Sequence, residues 1–567
     1  MTTRRSLDLA PAAGPCVTLM RFLSFRRLLA VLLACALAAT ALAAVFDMTL
    51  RDFVISGTHA GQVGPGVILD SNSCVSCHGT YDTENSPYDT WEGSLMAQAG
   101  RDPLFWAQMT NANQDVANVG YFCMRCHVPN TFVSGHAYDA DGSTLDDFDR
   151  DGVSCHFCHS MVDPLYDPAS SPPEDVATLA TLDSVPAHYG NSMFVLDHEG
   201  KVRGPYDDAN GPHANIHSPF HRDGEMCGTC HDVGNLAVTL QSDGTYTYNG
   251  LNAPTPTEDP WEQFPLERTF SEWKLSAFAN GGIDMGGLFG GDGDPVVSSC
   301  QDCHMPKVEA QGASYGPMRT DLAKHEFAGA SAWVLEIIGL LYANDPAVDP
   351  AAIAVGRQKA IEMVERAATL GLSVVDGELR VRVTNQSGHK IPTGHIEGRR
   401  IFLNVKVFDE EDDLLVEYGH YDYDTAHLDT DTTKVYEMHV GLSAAAAAAT
   451  GFPEGVTTHM ALADTIEKDN RIPPRGFSNG RFERAGAPVV GAVYADGQYW
   501  DDTLFSLPDG ADRAEATLYY QTVTRHYIEA LRDGNHTNHW GETLYRLWLQ
   551  TNKGAPIEIT NAGLILP

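Results

Sequence analysis

The sequence predicts a chain in two parts. Residues 45–330 are expected to be mostly loops and short α-helices around stacked, covalently held cofactors. Residues 373–567 are expected to form an antiparallel, all-β, sandwich-like domain. A helical connector at 331–372 joins them. Three observations predict this division. One cysteine–histidine motif occurs five times before residue 305 and never after it. The first part is broken throughout by Gly, Pro, Asp and Asn punctuators. From about residue 373 the apolar residues alternate with period two. A length of 567 residues also exceeds what one hydrophobic core holds, roughly 250–300.

The chain opens on an address. Residues 20–44 read MRFLSFRRLLAVLLACALAATALAA. Arg21, Arg26 and Arg27 form a positive n-region, an apolar run follows, and Ala41-Leu42-Ala43 supplies an A-x-A cleavage site. Residues 1–43 are expected to be a signal peptide, with translation starting at Met20. A single membrane anchor is the alternative, but the apolar run is short for one. Lipidation at Cys35 is another, against which the apolar run continues past that residue. No other stretch is long and apolar enough to span a bilayer, so export to the periplasm or cell surface is expected. Lys+Arg number 37 against 75 Asp+Glu, a formal net charge of -38. That acidity excludes nucleic acid as a partner and opposes an anionic membrane surface.

Cysteine arithmetic carries the chemistry. Of 12 Cys, two lie in the leader and ten form five C-x-x-C pairs, each followed by His. These are Cys74, Cys77 and His78; Cys123, Cys126 and His127; Cys155, Cys158 and His159; Cys227, Cys230 and His231; and Cys300, Cys303 and His304. C-x-x-C-H is the attachment motif for c-type haem, with two thioethers to the vinyl groups and the His as proximal iron ligand. Disulfides and zinc also use paired cysteines, but neither demands the His. With 23 His in 567 residues, five of five by chance is on the order of one in ten million. Five covalent haem c groups are therefore expected. Export agrees, because attachment takes place after it.

Each iron also has a sixth position. A second imidazole gives a low-potential, low-spin iron, whereas Met raises the potential. Eighteen His remain, so supply exceeds demand. His59 precedes the first motif in SGTHAGQ, and His136 follows the second. His217 and His221 sit in HSPFHRDGEMCGTCH. His325 follows the last motif in DLAKHEFAGAS, and His389 and His395 lie in NQSGHKIPTGH. His156, inside a motif, is expected to face a neighbouring haem or solvent. His188, His198 and His213 complete the spare imidazoles of this region. Asp147, Asp149, Asp151 and Gly152 begin like a Ca²⁺ loop, but position 12 is Cys158, so an EF-hand is excluded. An irregular Ca²⁺ site remains an alternative to a solvated acidic turn.

The connector contains SAWVLEIIGLLYAN and the amphipathic PAAIAVGRQKAIEMVERAATLG. In the tail, GELRVRVTN, RRIFLNVKVFD, LLVEYGHYDYD, PVVGAVYAD, ATLYYQTVT and ETLYRLWLQ read as strands. Ala444–Ala449 reads as a local helix or loop lining. Arg399, Arg400, Lys468 and Arg471 are candidates to pair with haem propionates or with β-domain carboxylates.

The segments WEGSLMAQAGRDPLFWAQ, GYFCMRCHVP, DGVSCHFCHSMVDP and GEMCGTCHDV carry a resemblance. The first part resembles the multihaem cytochromes c related to the tetrahaem carriers that serve hydroxylamine oxidoreductase. The tail, through NQSGHKIPTGHIEGRRIFLNV and KDNRIPPRGF, resembles the β-domain of uncharacterised multihaem cytochromes of anaerobic, mineral-respiring bacteria. This chain departs from those carriers in having five motifs rather than four. The resemblance implies electron transfer through stacked haems to redox partner proteins or an extracellular acceptor. It favours His325 and His389 as distal ligands, with His217 next. Two other functions compete. One is a haem enzyme acting on a small nitrogen or sulfur compound at an open iron. The other is a protomer of a homo-oligomer or haem filament.

Overall fold

The computed structural model describes residues 44–395 and 397–567. The expected leader, with Cys16 and Cys35, lies outside them. Among the described residues, no helix is long and apolar enough to cross a membrane.

The first part is short elements joined by loops. Its longest helix, Pro103–Asp115, starts where a cap and a proline coincide. The Asp102 side chain accepts from the Leu104 amide, and Pro103 occupies the first helical position. Nearby are Pro87–Glu92 and Gly120–His127. Two small antiparallel ladders flank the later motifs. Val233–Leu240 pairs with Tyr246–Tyr248 and Gln263–Glu267, and Lys307–Gln311 pairs with Met318–Ala323. The connector is helical over Ala332–Leu341 and Pro350–Glu365.

The tail holds two facing sheets. One is Ala368–Val375, Glu378–Asn385 and Trp500–Ser506. The other orders Leu414–Tyr418, Arg400–Phe408, Arg513–Gln521 and Ile557–Ile565. Leu379, Val381 and Val383 alternate inward against Ile401, Leu403, Val405, Ala514, Ala516 and Leu518. This is the period-two burial of a two-sheet core.

The expectation of an all-β tail is corrected. ETLYRLWLQ lies within a helix, Trp540–Gln550, beside a second helix, Arg525–Gly534. Buried Leu544, Leu547 and Trp548 recur at helical spacing and pack on Leu104, Ala107, Trp333 and Ile337. A run this short fits either period until a neighbour selects one face. PVVGAVYAD is irregular, held by a single bridge from Val490 to Asp469. Ala444–Thr450 is helical, capped by Ser443.

The cores cross the expected boundaries. One joins Phe122, Phe132, Phe194 and Phe264 to Val440, Leu442 and Leu462. Another joins Leu104 and Ile338 to Phe402, Tyr527 and Trp548. The tail is thus packed into the first part rather than appended to it.

Candidate haem-binding site

Four of the five motifs end on a helical turn: Asn72–His78, Gly120–His127, Cys155–His159 and Cys300–His304. The fifth continues Gly224–Gly228. Residues three apart on a helix share a face, so the two thiols and the following imidazole emerge together. Local capping fixes two of these turns. Ser154 accepts from the Phe157 amide, and Ser299 forms a capping box with Asp302.

Among the described residues, none of the ten motif cysteines is in a disulfide. With the five motif histidines they line one cavity of about 1570 Å³. Roughly 300–1,000 Å³ suffices for one drug-sized ligand, so this space suits several large groups. The zinc alternative fails on geometry. Among the described residues, only His136, Asp146 and Asp149 converge closely enough for a metal ion, and none belongs to a motif. That acidic turn is occupied structurally. Asp149 accepts from Ser134 Oγ and the Asp146 amide, and Asp151 accepts from the Ser71 amide. Two thiols and one imidazole per turn, five times around one cavity, is the donor set that haem c requires.

The imidazoles pair across the cavity. Two imidazoles binding one metal from opposite sides, with metal–nitrogen bonds of roughly 2.0–2.1 Å, place their ring centres about 6 Å apart. His78 and His213 are 6.4 Å apart, His159 and His325 6.2 Å, and His304 and His389 6.5 Å. On the motif side, Nδ1 of His78, His159 and His304 each donates to a carbonyl at 2.7 Å: Gly312, Arg203 and Ala328. Opposite them, Nδ1 of His325 and His389 donates to Ala323 O and Lys390 O, at 3.0 and 2.9 Å. A tied Nδ1 leaves Nε2 as the basic nitrogen, which is how proteins orient a metal-binding imidazole. Burial lowers His325 to about 3 and His389 to about 4, so both are neutral, ligand-competent rings at neutral pH.

Of the other candidates, His217, His136 and His59 lie outside the cavity, whereas His221, His156 and His395 line it with ring nitrogens already engaged. His217 is exposed at the end of Asn215–His217 and does not line the cavity. His136 donates from Nδ1 to Asp149 at 2.5 Å, and His59 sits beside Gln62, both outside the lining. His221 stacks on His159 at 5.6 Å, but its Nε2 already meets Cys158 O at 3.2 Å. His156 uses both nitrogens, accepting from the Leu69 amide and donating to Gly200 O. His395 bonds Tyr527 through Nε2. Among the described residues, His127 and His231 are in ring contact with no second histidine.

The thiols give the spatial order of the motifs. Cys74 lies beside Cys155, Cys126 beside Cys230, and Cys227 beside Cys300. The Cys158 thiol also senses Cys230 and Cys227. The motif at Cys227 and Cys230 therefore sits among three others, and the motif at Cys74 sits at one end.

Sequence reasoning missed two contributors. Glu267 meets Nδ1 of His231 at 3.1 Å, because pairing of Val233 with Glu267 brings a carboxylate 36 residues away beside the ring. A buried ion network holds the loop that carries His389. Lys390 Nζ meets Asp469 at 2.7 Å, and Arg471 bridges Asp469 at 2.8 Å and Glu272 at 2.9 Å. Of the four cations proposed for propionates, Arg399 alone lines the cavity. Arg471 is in the network, Lys468 meets Glu437, and Arg400 meets Gln521.

A smaller cavity of about 220 Å³ adjoins this region, lined by Glu397, Arg399, Glu437 and His439 among others. Glu397 is 6% exposed and its Oε2 has no partner. Burial pushes it up to about 7. An unfolded Glu ionises near 4.3, so between that pH and about 7 the native state holds the extra proton. Wild-type stability therefore falls as pH rises through this window. Glu397→Gln removes that loss, so the variant gains on wild type between pH 5 and 7.5, as denaturant titration at the two pH values will measure.

Neither a family model nor a curated protein matches the sequence. Among solved structures, the crystal structure of a penta-heme cytochrome c552 from Thermochromatium tepidum is similar at a TM-score of 0.48. Its sequence identity is 15%, with 88% of this chain and 99% of that chain covered.

Proposed function

We propose that this chain is an exported electron-transfer protein of the periplasm or cell surface, carrying five covalent haem c groups and serving anaerobic respiration. The carrying observation is three imidazole pairs at 6.2–6.5 Å, each with one member in a C-x-x-C-H turn of the same cavity. Bound haem supplies one-electron ferric–ferrous chemistry. The chain supplies the thiols, the proximal imidazoles and, on this reading, His213, His325 and His389 as distal ligands. Motif cysteines lie side by side, which would bring the groups they hold close to one another. His127 and His231, which among the described residues have no second histidine ring in contact, are where the enzyme alternative has its foothold.

The test is haem quantification with electron paramagnetic resonance of the oxidised protein. Five haems per chain, at least three of them low-spin with two imidazole ligands, is the expected result. Fewer than three low-spin haems sinks the ligand assignment. A high-spin signal that shifts on adding nitrite or hydroxylamine moves the function from carrier to catalyst.

A further inference from the structure

The motif histidines differ in what backs them. His78, His159 and His304 donate to neutral backbone carbonyls, whereas His231 faces a carboxylate, Glu267 Oε1, at 3.1 Å. Glu267 is 17% exposed, at the end of the strand Gln263–Glu267, whose pairing with Val233 fixes its position. We infer that Glu267 makes the group at Cys227 and Cys230 the lowest-potential member of the five. This rests on the haem reading above, and it goes beyond it by assigning a tuning residue and an order.

The physical argument has two steps. A carboxylate accepting from Nδ1 raises the basicity of the imidazole, giving it partial imidazolate character. A more anionic ligand stabilises the ferric state over the ferrous one, so the potential falls. Backbone carbonyls carry no net charge and act more weakly. The geometry carries the inference: a carboxylate oxygen lies 3.1 Å from Nδ1 of His231. Reduction adds one electron from an external donor, with the Nδ1 proton staying between ring and carboxylate.

The placement gives the tuning a consequence. This motif is the one whose thiols neighbour three others. A low-potential centre at a junction holds no electron at rest. Electrons then reside on the surrounding groups and cross the junction only transiently.

The experiment is a spectroelectrochemical titration of the haem-loaded full chain, wild type against Glu267→Gln. Gln keeps the shape and removes the charge. The expected result is that the lowest midpoint rises while the other four stay in place. Glu267→Asp, which keeps the charge, is expected to move the same wave by less. An unmoved lowest wave overturns the inference, as does a uniform shift of all five. Haem content by mass is measured alongside: fewer than five haems in wild type fails the haem reading itself, whereas five haems with an unmoved wave fails only the inference. If neither variant folds, wild-type electron paramagnetic resonance decides. One signal carrying the signature of a strongly hydrogen-bonded imidazole supports the assignment, and five indistinguishable signals overturn it.

Discussion

Asp469→Asn is expected to cost about 3–5 kcal/mol of stability, the range for breaking a buried ion pair by removing one partner. Lys390 and Asp469 are both 0% exposed at their side chains. The Lys390 ammonium has two further partners, Ala487 O and Pro488 O, and among the described residues Asp469 is the one carboxylate it hydrogen-bonds. Neutralising Asp469 leaves that charge buried and without a counter-ion in hydrogen-bond contact. Arg471 keeps Glu272, so the loss concentrates on Lys390. Lys468→Ala is the control. Its pairing with Glu437 is partly exposed, and such pairs are worth about 0–1 kcal/mol. Chemical denaturation of the haem-loaded protein measures both. Lys390 directly follows His389, and the Lys390 amide donates to Glu272. The same variant is therefore expected to disturb the His389 side of the cavity, visible as a change in one low-spin signal. Equal costs for the two variants defeat the claim that the network matters through burial.

How much of this was legible in the sequence depended on range. The motif turns were legible because thiol–thiol–imidazole spacing is a local property of one helical turn. His325 and His389 stood out because each sits in a distinctive loop, and the structure places them opposite His159 and His304. The helix Trp540–Gln550 was misread as a strand because a short apolar run carries too few repeats to distinguish periods. Packing on Pro103–Asp115 and Ala332–Leu341 settles it, and that contact spans some of the longest separations in the chain. Glu267 was invisible for the same reason. Nothing near it in sequence signals an imidazole, and only the register of Val233 against Glu267 brings it there. Arg471 was open between haem propionates and β-domain carboxylates, and its buried partners Asp469 and Glu272 were not legible, because composition alone does not say which ions are paired indoors.

His213→Ala is expected to convert one of the five haems from low-spin to high-spin, while His217→Ala leaves the spectrum unchanged. The two residues lie four apart in one loop, and local sequence does not choose between them. The structure does. Val202–Gly204 and Asn215–His217 pair in parallel, with Gly204 opposite His217, and this strand end is exposed. His213, before the strand, is exposed as well, but it lines the cavity and stands 6.4 Å from His78, which is what separates the two. The same pairing positions Arg203, whose carbonyl accepts from His159 and whose guanidinium is buried against Asp175 and Asp197. One small ladder thus anchors the ring partner of His78 and the hydrogen bond behind His159, and Cys74 lies beside Cys155 between them. Removing His213 deletes one imidazole from this end and leaves that scaffold intact. The expected change is a single high-spin signal and a raised midpoint for one haem, with haem content still five. A high-spin signal in the His217 variant instead would reverse the assignment and place the first motif's partner on the other side of the loop.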